Sequence, residues 1–266
     1  MNTMIKLSVA SALAFGAVAA HASIALPSSG SSDAILFAEV LNGSTVVASY
    51  AGDTGVSMSS LTSALTSTQT VLGSDANLAA LFAADGTGDT LVWAVQGGQY
   101  TGSASTTNFG VKGNANFVTT SAGNSTTKLA GDNTGNLTKW AGLSNDVATI
   151  NGNLKSPSAT SVEGPSASGA GVWDSATPAG TSGWYSNGPL TGNALGGAEN
   201  LYYVTGNGGT TAKVSYTNIG TASLSASGLT LSGNGSPPPV PLPPAVWLLG
   251  SGLLGLAGVA RRKSKV

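Results

Sequence analysis

Asp85 and Asp89, in the run Asp85-Gly86-Thr87-Gly88-Asp89, are the nearest this sequence comes to a metal-binding loop. Two carboxylates on a flexible turn offer the hard oxygen ligands that calcium takes. The EF-hand spacing and the repeated Gly-rich calcium pattern are both absent, however. Asp-Gly also makes ordinary solvated turns, and that reading is the stronger one. Elsewhere, paired carboxylates could hydrolyse glycosides and a Ser-Lys dyad could transfer acyl groups. Yet many acids sit in turn chemistry: Asp53 precedes Thr54-Gly55, Asp132 precedes Asn133, and Asp174 precedes Ser175. Acids in such places bond to local backbone.

Missing residue types exclude more than the present ones suggest. The chain has no cysteine and a single histidine, His21, which falls in a segment expected to be removed. Without them no Ser-His-Asp or Cys-His nucleophile, common zinc site or disulfide framework can be assembled. The Gly-rich stretches lack the spacing of a phosphate loop or a dinucleotide fingerprint. The expectation is a protein that is not an enzyme and holds no cofactor.

Charged residues make up only 8% of the 266, against roughly 25% in ordinary soluble domains. Solubility must therefore rest on hydroxyl and amide groups. Of the basic residues, Lys6, Arg261, Arg262, Lys263 and Lys265 lie at the two ends. Residues 23–239 set eleven acids against Lys112, Lys128, Lys139, Lys155 and Lys213, a net charge of −6. Scattered lysines on an acidic body make no phosphate-tracking stripe, so nucleic acid is not an expected partner. Glycan binding is the other option. Trp173, Trp184, Tyr185, Tyr202 and Tyr203 lie in or near loop-rich sequence, where an exposed ring could stack on a sugar. Each such ring also buries roughly 150–250 Å², which favours a place in the core. Asn-x-Ser/Thr sequons begin at Asn42, Asn124, Asn136 and Asn234, as chance produces in a chain of this composition.

The elements that must position these residues read as strands at both ends of a body, with helices between. Runs 35–41 and 45–50 flank Asn42-Gly43, a strong hairpin signal because both residues accept positive φ. Ile35, Phe37 and Leu41 should share one face, and Val46, Ala48 and Tyr50 one face of the partner strand. A polar turn is expected at 52–55. Met58, Leu61, Leu65 and Leu72 recur at helix-like intervals among Thr and Ser. Asp75 should cap a short helix, 76–84, that Asp85-Gly86 stops. Strands are expected at 90–95, with Leu91, Trp93 and Val95 on one face, and at 109–119. Leu137, Trp140, Leu143, Val147, Ile150 and Leu154 predict one longer helix with Asn136 as its cap. Residues 155–183 have no period and read as a loop. Strands return at 201–205, 213–218 and 224–231. The expected fold is mainly β: one β-sandwich or jelly-roll-like domain with inserted short helices, its first and last strands in the same core.

Both ends read as export signals. Lys6 supplies a positive n-region, residues 7–20 an apolar h-region, and Ala20-His21-Ala22 a small-x-small cleavage site that leaves Ser23 first. The expected division is a signal helix at 1–22, an extracellular body at 23–235 and a sorting tail at 236–266. The tail opens with a Pro-rich run, 237–244, of extended and accessible backbone. As a helix, residues 245–260 would span roughly 24 Å, somewhat short of a ~30 Å hydrocarbon core but uncharged throughout. Arg261, Arg262 and Lys263 should stop transfer and keep the C-terminus inside. Ser251, Gly252, Gly255 and Gly258 place small residues on one side of this transmembrane helix, where another helix can approach closely.

In order, Val240-Pro241-Leu242-Pro243, the Leu/Gly-rich run from Trp247, and Arg261-Arg262-Lys263 resemble the PEP-CTERM sorting signal in its VPLPA variant. The resemblance covers residues 240–266 alone. Members of that family are exported by Gram-negative bacteria that usually make exopolysaccharide, and their tails are substrates of exosortase, an integral-membrane cysteine protease. The resemblance implies transient anchoring in the inner membrane, processing near the Val240 to Pro243 motif, and release to the cell surface or biofilm matrix. This chain departs from the variant at Pro244, where Ala is usual. The resemblance concerns sorting and carries nothing about what the body does.

Overall fold

Asn42-Gly43 makes a tight turn, with Gly43 at a φ of +60°. Strand β1 (Asp33–Asn42) runs through it into β2 (Thr45–Ser57), and the two pair antiparallel from Asn42↔Thr45 to Asp33↔Ser57. The structure, a computed structural model, describes residues 24–120 except 31, 44 and 110; residues 129, 133, 135, 137–140, 142–154 and 159–165; and residues 193–233 except 196 and 210. The chain separates into two units, Met1–Asn234 and Gly235–Val266, and every described residue lies in the first.

Eight further strands follow: β3 (Thr68–Val71), β4 (Thr90–Tyr100), β5 (Ala115–Thr120), β6 (Ser161–Pro165), β7 (Asn193–Ala194), β8 (Glu199–Thr205), β9 (Ser215–Ser225) and β10 (Gly228–Ser232). The helices are α1 (Ala76–Ala84), α2 (Thr106–Phe109), α3 (Leu137–Trp140) and α4 (Leu143–Asn153). The body is thus mainly β with short helical insertions. All ten strands join one antiparallel sheet in the order β3-β10-β9-β8-β5-β4-β1-β2-β6, with the short β7 beside β4. Where the sequence suggests the two layers of a sandwich, a single sheet curls on itself. Leu229 and Leu231 of the last strand therefore share one core with Leu36 and Val40 of the first.

The two faces of the sheet carry different cores. The inner face gathers Leu36, Tyr50, Leu91, Trp93, Val95, Leu201, Ile219 and Leu224, closed by Leu78 and Leu81 of α1. On the outer face, Ile35, Phe37, Val46 and Ala94 pack under Leu143, Val147 and Ile150 of α4. A third cluster lies outside β5 and β8, where Phe117 meets Trp140 edge-on at 5.3 Å and Tyr100 meets Phe109 at 5.1 Å. Such T-shaped pairs add about 0.5–1.5 kcal/mol beyond the area they bury.

Several local expectations are corrected. Val46, Ala48 and Tyr50 do not share a face: the register shifts between Val40 and Leu41, sending Val46 outward and Ala48 and Tyr50 inward. One extra residue in a strand reverses the alternation beyond it. The polar turn at 52–55 is strand instead, because Asp53 pairs with Ile35 and Gly52 with both Leu36 and Ser161. The helix suggested by Met58, Leu61, Leu65 and Leu72 is one short 3-10 turn, Met58–Leu61, followed by loop and β3. Residues 109–119 divide into the end of α2 and β5, with Gly113 turning at a φ of +87°. The helix from Leu137 to Leu154 breaks before Leu143, so that α3 serves the third cluster while α4 serves the second. Within the expected loop at 155–183, Ser161–Pro165 form an edge strand against β2. The strand read at 213–218 belongs to β9, and 224–231 is a hairpin joining β9 to β10. The cap on α1 is as expected, with Asp75 Oδ1 accepting from the Leu78 amide at 2.8 Å. Among the described residues no helix is long and apolar enough to cross a membrane. The expected signal helix and the expected span at 245–260 both lie outside them.

Gly52 shows how tightly the inner core closes. The Tyr50 hydroxyl is buried beside Asp75 and Ser161 without a well-formed hydrogen bond. Burial first, and the Asp75 carboxylate next, push its pKa well above that of an ordinary phenol. Its ring folds back over Gly52, where an added Cβ would lie 2.6 Å from Tyr50 Cζ and closer still to the hydroxyl oxygen. Tyr50 is fully buried and Gly52 is paired on both sides, so a shift of either ring or strand would disturb the packing around it. Gly52→Ala should cost about 1–3 kcal/mol, the range for overpacking, measured by urea unfolding. A variant as stable as the wild type would show that the ring has room to swing away.

Candidate functional site

Helices cover only part of the outer face. Helix α4 lies over β1, β2 and β4, and α2 and α3 lie in a cluster against β5, β8 and Tyr216 of β9, but no described helix packs on β3, β10 or the far end of β9. Because Leu229, Leu231, Ala222 and Leu224 point into the core, the residues alternating with them face out. Register aligns these in two rows: Thr68, Ser232, Thr221 and Asn200, then Thr70, Thr230 and Ser223. Rows of this kind stand about 6.6 Å apart along a strand, with about 4.8 Å between neighbours across strands. Thr68 Oγ1 donates to Ser232 Oγ at 3.2 Å, and the Thr70 and Thr230 hydroxyls meet at 3.3 Å. Every one of these side chains is uncharged.

A groove of about 380 Å³ opens beside β3. Its polar wall is Ser57, Ser60, Ser63, Thr66, Ser67 and Gln69, and Val56, Ala64 and Leu65 supply the apolar part. The groove has this shape because β2 ends in the 3-10 turn, whose Met58 and Leu61 are buried in the inner core. The chain then returns to β3 along a path pinned by three backbone hydrogen bonds. The Met58 amide donates to Ser32 O at 2.8 Å, Leu65 to Ile219 O at 2.6 Å and Gly233 to Ser67 O at 3.2 Å. Ser60 Oγ is spent on Ser57 O at 2.7 Å. Ser63, Thr66, Ser67 and Gln69 are exposed, and their side chains have no hydrogen-bond partner among the described residues. Among the described residues no acid or base lines the groove. Such a lining can exchange hydrogen bonds with a polar ligand.

The sequence does not advertise this groove, since its residues read as a helix. The only signal is the density of hydroxyl residues from Ser57 to Thr70. Tyr202, offered as a glycan contact, is only 5% exposed and packs edge-on against Tyr216 at 5.9 Å in the third cluster. Tyr203 is half-buried against the inner core, and that burial raises its pKa. Trp173, Trp184 and Tyr185 lie outside the described residues, as do Ala20, Ala22 and Ser23 and all the tail positions from Val240 to Lys263.

Four of the carboxylates have a clear structural place. Asp89 Oδ1 accepts from Asn42 Nδ2 at 2.7 Å and its Oδ2 from the Gly86 amide at 3.1 Å, so it ties its own turn to the β1–β2 turn. Asp53 Oδ1 accepts from the Gly55 amide at 2.8 Å. Glu39 and Asp146 are wholly buried, Glu39 on the strand face it shares with Phe37 and Leu41, Asp146 on α4. Neither is open to a substrate. Among the described residues, no three carboxylates stand close enough to hold a metal ion. No family model matches this chain, and no curated protein or solved structure matches it.

The Asp85 to Asp89 loop therefore acts as a clasp between turns. Asp89→Ala should lower stability by about 1 kcal/mol, the net worth of such hydrogen bonds. Millimolar calcium should leave the wild-type melting temperature where it is, and a rise abolished in Asp89→Ala would restore the metal reading.

Proposed function

We propose that this chain is an exported, non-catalytic surface or matrix protein that associates with exopolysaccharide. In this reading residues 1–22 direct export, and the tail from Val240 holds the protein briefly in the inner membrane of a Gram-negative cell. An exosortase-type protease then recognises Val240 to Pro243 and the helix face of Ser251, Gly252, Gly255 and Gly258. The body goes to the cell surface or the extracellular matrix. Its curled sheet serves as a jelly-roll-like scaffold that keeps a polar face outward.

The observation that carries this reading is the outer face of β3 and β10, where Thr68, Thr70, Thr230 and Ser232 stand together with no titratable group among the described residues in their rows. A protein living among hydrated neutral polymers gains from such a surface, because it neither repels nor collapses them. The alternative of a hydrolase built on paired acids is disfavoured by Glu39 and Asp146, which are inside, and by Asp89, whose two oxygens are engaged. A second alternative, glycan binding by loop aromatics, retains Trp173, Trp184 and Tyr185 but loses Tyr202 to the core.

Cell fractionation tests the sorting step. In a host strain lacking exosortase the protein should stay in the membrane fraction with its tail attached, whereas in the wild type it should leave without the residues beyond the motif. Equal display on both strains would overturn the proposal.

A further inference from the structure

Strand β3 ends the strand order as an open edge, and we infer that it pairs with the β3 of a second copy of this chain to form a two-fold dimer. The ladder with β10 fixes which backbone groups are free. The Gly233 amide donates to Ser67 O, and hydrogen-bonded pairs alternate along an antiparallel ladder. Ser67, Gln69 and Val71 therefore turn their backbone groups toward β10, while Thr68 and Thr70 turn theirs away. The hydroxyl contacts of Thr68 with Ser232 and of Thr70 with Thr230 fit this phase, because side chains stand closest at pairs that exchange no backbone bonds. Among the described residues nothing bonds the two outward amides or the two outward carbonyls, and Thr68, Gln69 and Thr70 are exposed.

The opposite end of the sheet is closed by its own residues. The Asp53 amide donates to Thr160 O at 2.8 Å, so Ser161 points its carbonyl outward. There Asn77 Nδ2 of α1 donates to it at 3.0 Å. Glu163 adds a charge to that edge, and Pro165 has no amide hydrogen to give. Past β6, the Gly55 amide is held by Asp53 Oδ1 and Ser57 O by Ser60 Oγ. Charge, proline and a covering helix are the means by which sheet edges avoid pairing with other chains. The Thr68-Gln69-Thr70-Val71 edge has none of them. With β6 blocked, the edge of a second copy that can receive β3 is β3 itself, and such a contact closes after two chains.

The strand is also its own complement. Antiparallel pairing about a two-fold axis at Gln69 sets Thr68 against the partner's Thr70, and Thr70 against the partner's Thr68. Each pair exchanges two backbone bonds, so every outward group of both copies is used. No charge meets its twin across the axis. The row of Thr230 and Thr70 runs on into the partner's Thr68 and Ser232, and Gln69 meets the partner's Gln69 amide to amide on the other face. Four residues a side is well short of the roughly 20–30 of a lasting interface. The dimer therefore forms and parts readily, and trapping is the way to read it.

The chain has no cysteine, so one introduced thiol reports only on its own surroundings. Opposed Cβ atoms at position 69 would stand about 4.5 Å apart, within reach of a disulfide. Full-length chain in mild detergent would be gently oxidised and read on a non-reducing gel. Gln69→Cys should dimerise about tenfold faster than Val111→Cys, an exposed site on another loop, because pairing raises the local thiol concentration. Adding Thr70→Pro removes an outward amide but no bond to β10, and should bring the rate down to that of Val111→Cys. If that variant fails to fold, Gln69→Lys mixed with Gln69→Glu serves instead: a carbodiimide should join position 69 of one copy to position 69 of the other, as peptide mapping reads. Absence of that bond, a Gln69→Cys rate no higher than the Val111→Cys rate, or a rate that a folded Thr70→Pro variant leaves unchanged would overturn the inference. The first two results would follow equally if another stretch of the chain covered the edge, and the third if the copies met elsewhere. The sorting proposal concerns the tail and stands or falls separately.

Discussion

Strand β1 is the wall on which the whole body is built. From Ala34 to Leu41 every one of its residues is buried, so both of its faces are interior. Ala34, Leu36, Ala38 and Val40 look into the curled inner core, while Ile35, Phe37 and Leu41 look out to α4. A strand buried on both faces must be apolar at nearly every position, and Ala-Ile-Leu-Phe-Ala-Glu-Val-Leu fits that demand apart from Glu39. Its neighbours β2 and β4 extend the wall, and the remaining strands curl away from it until β10 shares its core. Once the centre is sealed this way, the far arm of the sheet needs only one buried face. Among the described residues no helix packs on the other face of β3 and β10.

Shortage of charge shapes the rest. Three of the described acids, Glu39, Asp53 and Asp146, are inside, where an ionised group is costly unless it is bonded. Others tie local structure, Asp75 at the start of α1 and Asp89 between two turns. The exposed arm is consequently furnished with Thr, Ser and Asn, which suit strands on a solvated face. The hydroxyl face and the groove are thus joint products of composition and topology.

Much of this was legible in the residues. Asn42-Gly43 marked the first hairpin, Asp75 the start of α1, and Leu91, Trp93 and Val95 the inner face of β4. The mainly-β class followed from strands at both ends. The two buried acids were passed over, since turns are where acids were expected: Glu39 stands between Phe37 and Leu41, and Asp146 three residues after Leu143 on the packed side of α4. What stayed hidden depends on distant contacts. The groove sequence failed as a helix because Leu65 and Val71 find their partners on β9 and β10, some 150 residues on. The flip between Val46 and Ala48 needs the bulge, which no period can announce. Ser161–Pro165 becomes a strand only because β2 offers it an edge. The break before Leu143 reflects two separate cores competing for one amphipathic stretch.

Hydrogen–deuterium exchange read by mass spectrometry on the full chain would test the central claim most directly. A wall buried on both faces should open last, so peptides covering 34–41 and 91–96 should exchange slowest of all. Peptides covering 62–70, on the open arm, should exchange far sooner. Rapid exchange through 34–41, or protection in 62–70 equal to it, would contradict the picture of a doubly buried wall with a free polar arm.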